Sequence, residues 1–371
     1  MPAKPAPAAD LGSLRALLNL LRRERELVEI ETEVDPDQEV AEIHRRVIAA
    51  AGPALYFKRP KGSCFPVVTN LFGTPRRVEM AFGPRPREVI RGLVDLVHSG
   101  GPPDLMTLWR SRSLVAQALR LGTKRKSSGP IQEVIETDPD LFSLPVIKTW
   151  PEDGGPFFTL PLVLTRDPKT QVPNLGIYRM QRHDATTTGM HWQIGKGGGF
   201  HHWTARELGQ SLPVSVFLGG PPALFLSAIA PLPEGIPELL LTGLLLGRKL
   251  PVLEDKASGH PIPAEAEFAL LGESPPIETH PEGPFGDHYG YYSLTHDYPI
   301  FRCHRMLRRR DAIYPATVVG KPRQEDFYLG DYIQELLSPL FPVVMPSVVD
   351  LWSYGETGFH SLSGAVVKDR Y

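Results

Sequence analysis

From about residue 128 onward the chain breaks into short apolar segments separated by turn residues. Phe157 to Leu164, Gly176 to Met180, Val214 to Phe217, Ala266 to Leu270 and Pro299 to Met306 each read as a strand. Only Pro222 to Ala228 and Pro237 to Leu246 interrupt them as helices. Many short strands with turns between them point to a sheet that closes into a barrel or stacks as a sandwich. The chain holds 39 Pro and 34 Gly. Proline at about twice its usual share supplies turns and discourages long helices.

The region before residue 125 has a different texture. After a Pro/Ala tail over residues 1–9, Leu11 to Arg23 reads as a helix with Leu14, Leu17, Leu18 and Leu21 on one face. Leu27 to Val34 alternates as a strand does. Asp35 is a good N-cap, Pro36 suits the first helical position, and Gln38 completes a capping-box pattern. Val40, Ile43, Val47 and Ile48 give that helix a buried stripe, and Gly52-Pro53 ends it. Strands at Ala54 to Lys58 and Pro66 to Thr69 and a helix at Arg87 to His98 complete a mixed α/β region. Arg110, Arg112, Arg120, Lys124, Arg125 and Lys126 make the linker basic, read as a solvated face. Tyr328 to Leu340 is a further helix.

Charge excludes some functions. With 40 basic and 42 acidic residues the net charge is −2, which makes no electrostatic case for nucleic acid or an anionic membrane. Two cysteines, Cys64 and Cys303, are no disulfide framework. The first residues lack the apolar core of a signal peptide, and the run Leu239 to Leu246 is too short to span a bilayer. A cytoplasmic protein is expected.

Chemistry concentrates in Glu282-Gly283-Pro284-Phe285-Gly286-Asp287-His288. Two glycines and a proline make this a bent loop that can aim both acids into one cavity. Paired carboxylates push their pKa values apart, the equipment of acid/base chemistry. The plain alternative is a surface loop with two solvated acids.

A second set of motifs decides between them. Asn174-Leu175-Gly176-Ile177-Tyr178-Arg179, the run Gly189 to Gly199, Pro237-Glu238 and Glu282 to Asp287 occur in this order. Together they resemble the UbiD family of aromatic and acrylic acid decarboxylases, which use prenylated FMN. The resemblance runs from about Leu14 to the end of the chain and is densest between Asn174 and Gly320. It implies an α+β fold in three parts: an N-terminal α/β domain over residues 10–125, a flavin-reductase-like split β-barrel over 126–325, and only the beginning of a C-terminal α/β domain over 326–371.

For the site, the resemblance implies that Arg179, Glu282 and Asp287 are catalytic. Arg179 would grip the substrate carboxylate, Glu282 would pair with it, and Asp287 would return a proton to carbon. An acid facing an apolar pocket has its pKa raised, which suits that last task. Ile177, Tyr178, Arg179, His191, Trp192, Gln193, Lys196 and Gly197 would contact the cofactor, with Lys196 to Gly199 cradling its phosphate. Asn174 and Glu238 would bind Mn²⁺ or Mg²⁺, with K⁺ as a further candidate ion. Gly195 stands where the family has its third metal ligand, a histidine; His191, His201 and His202 are the nearby stand-ins. A zinc site built from His183, His191, His201 and His202 has irregular spacing and is set aside.

The implied activity is removal of CO₂ from an aromatic or α,β-unsaturated acid, such as 4-hydroxy-3-polyprenylbenzoate or another quinone-pathway acid. A flavin prenyltransferase would supply the cofactor, and a homodimer or higher oligomer is expected. The competing reading is a non-catalytic flavin-binding or scaffold paralogue, motivated by Gly195. An ordinary FMN oxidoreductase ranks last, because no nicotinamide fingerprint follows a strand.

Overall fold

The computed structural model describes residues 10–98, 121–193, 195, 197–232, 237–359 and 361–368. The Pro/Ala tail, Arg110, Arg112, Arg120 and Lys196 lie outside these residues.

The N-terminal layer runs α1 (Leu14–Arg23), β1 (Leu27–Val34), α2 (Glu39–Ala49), β2 (Ala54–Pro60), β3 (Val67–Thr69), α3 (Pro75–Phe82) and α4 (Arg85–His98). Ser13 caps α1 by accepting from Ala16 N, and Leu14, Leu17, Leu18 and Leu21 are all buried. α2 starts at Glu39, later than Pro36. Gln38 has φ +69° and makes no side-chain cap, so the expected capping box is absent there. Instead Glu39 reaches back to Asp35 N (2.8 Å), while Asp35 accepts from Asp37 N (2.9 Å). α3 is not among the expected helices, although Thr74, Pro75 and Gly83 mark it: Thr74 Oγ1 accepts from Arg77 N (3.2 Å) and Gly83 turns the chain at φ +64°.

The next segment carries β4 (Thr123–Arg125), β5 (Val134–Glu136), β6 (Phe157–Phe158), β7 (Leu162–Arg166), β8 (Pro173–Ile177), β9 (Met180–Gln181), β10 (Thr187–Gly189), α5 (Gly197–Glu207), β11 (Leu212–Leu218) and α6 (Pro222–Ile229). It continues through α7 (Glu238–Leu246), β12 (Leu250–Glu254), β13 (Pro261–Pro263), β14 (Phe268–Ser274), β15 (Thr279–Glu282), β16 (His296–Arg308) and β17 (Tyr314–Pro315). Last come α8 (Glu325–Leu337), α9 (Phe341–Val344), β18 (Val348–Ser353) and β19 (Ser363–Val367).

The largest sheet follows the path β10-β16-β14-β11-β7-β8, with β5 and β15 also on β16. β11 and β14 pair antiparallel over seven positions from Leu212↔Ser274 to Leu218↔Phe268, and their side chains are almost all buried. The fold is mixed α+β, as expected. Among the described residues the path is open, ending at β10 and β8, and the sheets do not close into a barrel. β8 is therefore an edge, and its carboxyl end and the chain beyond it are accessible to ligand. The strand expected over Phe157 to Leu164 is two strands, because Thr159 to Pro161 leave the ladder.

The N-terminal sheet has the order β1-β2-β3-β17. Its last strand comes from far along the chain and pairs parallel to β3, Tyr314↔Val67 and Pro315↔Val68. Phe57, Val67, Tyr314 and Phe268 share one buried cluster, which joins this sheet to the large one.

Candidate active site

Two acidic helix N-termini and one glycine-rich one converge on a single cavity of about 860 Å³. Gly197 of α5, Glu238 of α7 and Glu325 and Asp326 of α8 all line it, with Asn174 to Arg179 from the end of β8. Helix N-termini carry free N–H groups and partial positive charge. In α7 and α8 a carboxylate meets that charge. α5 opens on three glycines, whose backbone can approach an anion closely, although Gly198 N is taken by Tyr178 Oη.

β8 and β7 pair in the register Thr165↔Asn174 and Leu162↔Ile177. This places Asn174 on the edge strand facing α7. Its Nδ2 donates to Glu238 Oε1 (3.2 Å), and Leu175 N donates to Glu238 Oε2 (2.9 Å). Burial pushes the Glu238 carboxyl up, and these two bonds only partly offset it. Asn174 Oδ1 accepts from Tyr178 Oη (2.9 Å), which itself accepts from Gly198 N (3.2 Å). Asn174 and Glu238, expected as metal ligands, are thus brought into contact. At the position expected for a third ligand, Gly195 sits at φ +80° with open space around it. The nearby histidines are engaged elsewhere. His201 Nδ1 bonds Thr165 (2.8 Å), His202 Nε2 donates to Pro275 O (3.1 Å), and His191 faces Glu282. Among the described residues no group of three His, Cys, Asp or Glu side chains is placed to hold a metal ion. Two oxygen donors fit a hard cation in part.

Of the residues expected to be catalytic, Arg179 and Asp287 line the same cavity. β15 ends at Glu282, which is 1% exposed and does not line the cavity. Its Oε1 accepts from Arg179 Nε (3.1 Å) and from His191 Nδ1 (2.7 Å). Arg179 lines the cavity, with its guanidinium 4.4 Å from the Phe285 ring centre. Among the described residues no hydrogen bond takes its two terminal nitrogens, so the fork is open.

The loop after Glu282 is held at every turn. Gly283, at φ +100°, donates its N–H to Gln181 Oε1 (2.8 Å), and Gly286 N donates to Asp153 Oδ1 (2.7 Å). Asp153 Oδ2 also takes Thr149 Oγ1 (2.6 Å) and Trp150 N (2.8 Å). The loop delivers Asp287 and His288 to the cavity as an ion pair. Asp287 departs from expectation. Burial pushes its carboxyl up, but the His288 hydrogen bond and charge, with the charge of Arg179, outweigh it and hold the acid below its ordinary value. Burial depresses His288, yet Asp287 and the charge of Asp326 raise it above the ordinary imidazole value. Beside this pair Asp326 is pushed up to about 6, chiefly by burial and against the His288 charge, and burial raises its neighbour Glu325 as well. Sequence reasoning misses Asp326 because it starts the helix at Tyr328; the acidic pair Glu325-Asp326 is the first-turn signal.

Of the expected cofactor contacts, Ile177, Tyr178, Arg179, His191, Gln193 and Gly197 line the cavity. Trp192 does not: it is buried beneath Gly198, where a β-carbon would fall 2.6 Å from its Nε1. A β-carbon on Gly197 would fall 2.6 Å from Asn174 Cγ. Bare glycines thus bring the α5 N-terminus close to the expected metal pair, an arrangement that fits a phosphate beside a cation.

The family model described as the 3-octaprenyl-4-hydroxybenzoate carboxy-lyase Rift-related domain matches residues 123–322, and that of the N-terminal domain matches 18–97. An uncharacterised protein of Chlamydia trachomatis is 54% identical over 361 residues. A Chlamydia pneumoniae protein named as one subunit of a 4-hydroxybenzoate decarboxylase is 52% identical over 361 residues. Each match covers 97% of this chain, which spans 62% of the length of these chlamydial relatives. Among solved structures, the Sedimentibacter hydroxybenzoicus vanillic acid decarboxylase in closed form shares the fold at TM-score 0.83, with 23% identity over 97% of this chain and 75% of that one. The evolved dimeric HmfF of Pelotomaculum thermopropionicum, in complex with prFMN, gives TM-score 0.80, with 24% identity over 97% of this chain and 80% of that one. The chain belongs to the UbiD family.

Proposed function

We propose that this protein is a non-oxidative carboxy-lyase that removes CO₂ from an aromatic acid, with prenylated FMN bound in the cavity. One observation carries the reading: a buried carboxylate, Glu282, engages Arg179 only at Nε and leaves its terminal fork open on a cavity that Asp287 also lines. Such a fork binds a carboxylate bidentately and stays charged at every working pH. Nothing in the site favours the non-catalytic alternative.

The leaving electron pair sits on an sp² carbon, and the bound cofactor supplies the electron sink that no side chain offers. This chain supplies the rest. Arg179 orients the acid, its own angle set by Glu282 and His191. Leu175, Ile177, Phe285, Leu329 and Ile333 give the cavity apolar walls that exclude water. The Asp287–His288 pair holds one proton between its two members. His288 hands its proton to the Asp287 carboxylate at Oδ1, and the carboxyl so formed passes it to carbon as CO₂ leaves, which returns an ionised carboxylate beside a neutral imidazole. The α5 N-terminus would hold the cofactor phosphate, and Asn174 and Glu238 would hold Mn²⁺ or Mg²⁺ beside it.

A hydroxybenzoate is the substrate class we favour, on the name of the Chlamydia pneumoniae relative. Quinone-pathway acids such as 4-hydroxy-3-polyprenylbenzoate fall within it. The test is to express the protein with a flavin prenyltransferase and Mn²⁺, record the visible spectrum and cofactor mass, and assay CO₂ release from hydroxybenzoates. Bound prenylated FMN with turnover is expected. Arg179→Ala, compared at equal cofactor content, should lose turnover by about 10³-fold or more; retained turnover would overturn the role of Arg179.

A further inference from the structure

Glu282 has a second oxygen that the site described above does not use. Oε1 takes both Arg179 and His191, while Oε2 is buried without a hydrogen-bond partner. His183 Nε2 is a second buried atom without one. Both flank the bare α-carbon of Gly189. A β-carbon there would lie 3.1 Å from His183 Nε2 and 3.2 Å from Glu282 Oε2. Any side chain on Gly189 would stand between the two groups.

Local structure explains the approach. Asp184 Oδ1 accepts from Thr186 N and Thr187 N (2.8 Å each), and His183 N donates to Thr187 O (3.0 Å). This tight turn folds His183 back over the start of β10. β10 and β15 both pair with β16, at Gly189↔Ile300 and Glu282↔His296, and the Glu282 side chain reaches Gly189, its Cγ lying 3.5 Å from where a β-carbon would stand. A buried carboxylate oxygen and a buried imidazole nitrogen each cost free energy if left unpaired, and each is what the other lacks.

We propose that His183 is a positioning residue for Glu282, donating Nε2–H toward Oε2 past Gly189 through one water shared between them. The carboxylate is then clamped by an imidazole at each oxygen. Its plane is fixed, and with it the angle at which Arg179 presents its open fork. The groups facing His183 are His280 and Glu282 from β15 and Asp184 from its own turn. Burial and the His280 charge push His183 down against the two acids. A neutral imidazole can donate one hydrogen without competing with Arg179 for the carboxylate charge.

The inference rests on the reading of Arg179 and Glu282 given above, so its test has an arm that needs no turnover. Nitrogen-15 histidine spectra should show the His183 proton on Nε2 across about pH 6 to 8, the residue being assigned by loss of its signals in His183→Gln. Glu282→Gln should move the His183 titration midpoint down, because an anion is lost. Gly189→Ala, checked for folding by thermal melt, should shift the Nε2 resonance. An unchanged midpoint and resonance overturn the inference whether or not the protein turns over. With an acid that the loaded protein decarboxylates, His183→Leu should lower kcat/KM by about tenfold or more, and His183→Gln, which keeps a donor, should recover most of it. Normal kcat/KM in His183→Leu overturns the inference while leaving the decarboxylase reading intact.

Discussion

Gly286 illustrates what single residues do in this loop. A β-carbon there would fall 2.1 Å from Trp150 Cδ1, and Trp150 is itself anchored by Nε1 donating to Val319 O (2.8 Å). Gly286→Ala must move one or the other, and should destabilise the protein by about 1–3 kcal/mol while displacing Asp287; denaturant unfolding checks it. Asp153→Asn is the companion change. Its carboxylate holds Gly286 N, Thr149 and Trp150, so the amide should cost about 2 kcal/mol. An unchanged midpoint would show that the loop stands without it. At this scale the sequence is readable where a motif binds several residues together: Arg179 and Asp287 line one cavity, and Glu282 holds Arg179 from behind it. It is silent on partners that tertiary structure brings in. His191 meets Glu282, and Asp326 acts on His288, only because β10, β15 and α8 converge. The low-lying pKa of Asp287 escapes for the same reason: the imidazole that outweighs burial is its neighbour in sequence, but the pairing geometry is not written there.

Among elements, α5 sets a local preference against a site. Three glycines open it, and each costs about 1 kcal/mol relative to Ala in a helix interior. Gly197→Ala should favour the isolated helix yet push on Asn174, 2.6 Å from the new carbon. Weaker cofactor binding with an undiminished melting temperature is the expected result, measured by flavin titration. Equal binding would mean that the glycines serve the turn alone. Strong periodicity makes α1 and β1 legible, and their bounds differ from expectation by few residues. The start of α5 reads in sequence as a cradle rather than a helix because glycine is a poor helix former, whereas packing on Trp192 and Asn174 overrides propensity. The open sheet cannot be told from a barrel, since closure depends on which edge strands meet, and strand periodicity carries no such information.

For the whole molecule, buried ionisable groups set the response to pH. His44 is pushed down to about 3 and His260 to about 4, each chiefly by burial. Unfolded imidazoles take protons below about 6.5, so stability falls as pH drops below that value. Asp326 acts in the opposite sense. Its folded value is about 6, while an unfolded aspartate releases its proton near 4. The folded state is thus favoured by this group at low pH and loses that advantage as pH rises from about 4 to about 6. Raised His288 adds to the same slope, complete below its ordinary value and lost as pH climbs through its folded one. Asp326→Asn should therefore gain little over wild type near pH 4 and gain most above about pH 7, read by melting temperature in the cofactor-free protein. A pH-independent difference would remove Asp326 from this account. No helix among the described residues is long and apolar enough to cross a membrane.

The parallel pairing of β17 on β3 also has a meaning in time. Synthesis proceeds at about 5–20 residues per second, and the large sheet is encoded between the two strands. The ribosome therefore releases β1, β2 and β3 tens of seconds at the slow limit before the strand that seals them, with the β3 edge bare meanwhile. A nascent chain stalled short of Tyr314 should be the form that chaperones hold and proteases cut, and one stalled well beyond Pro315 should escape both.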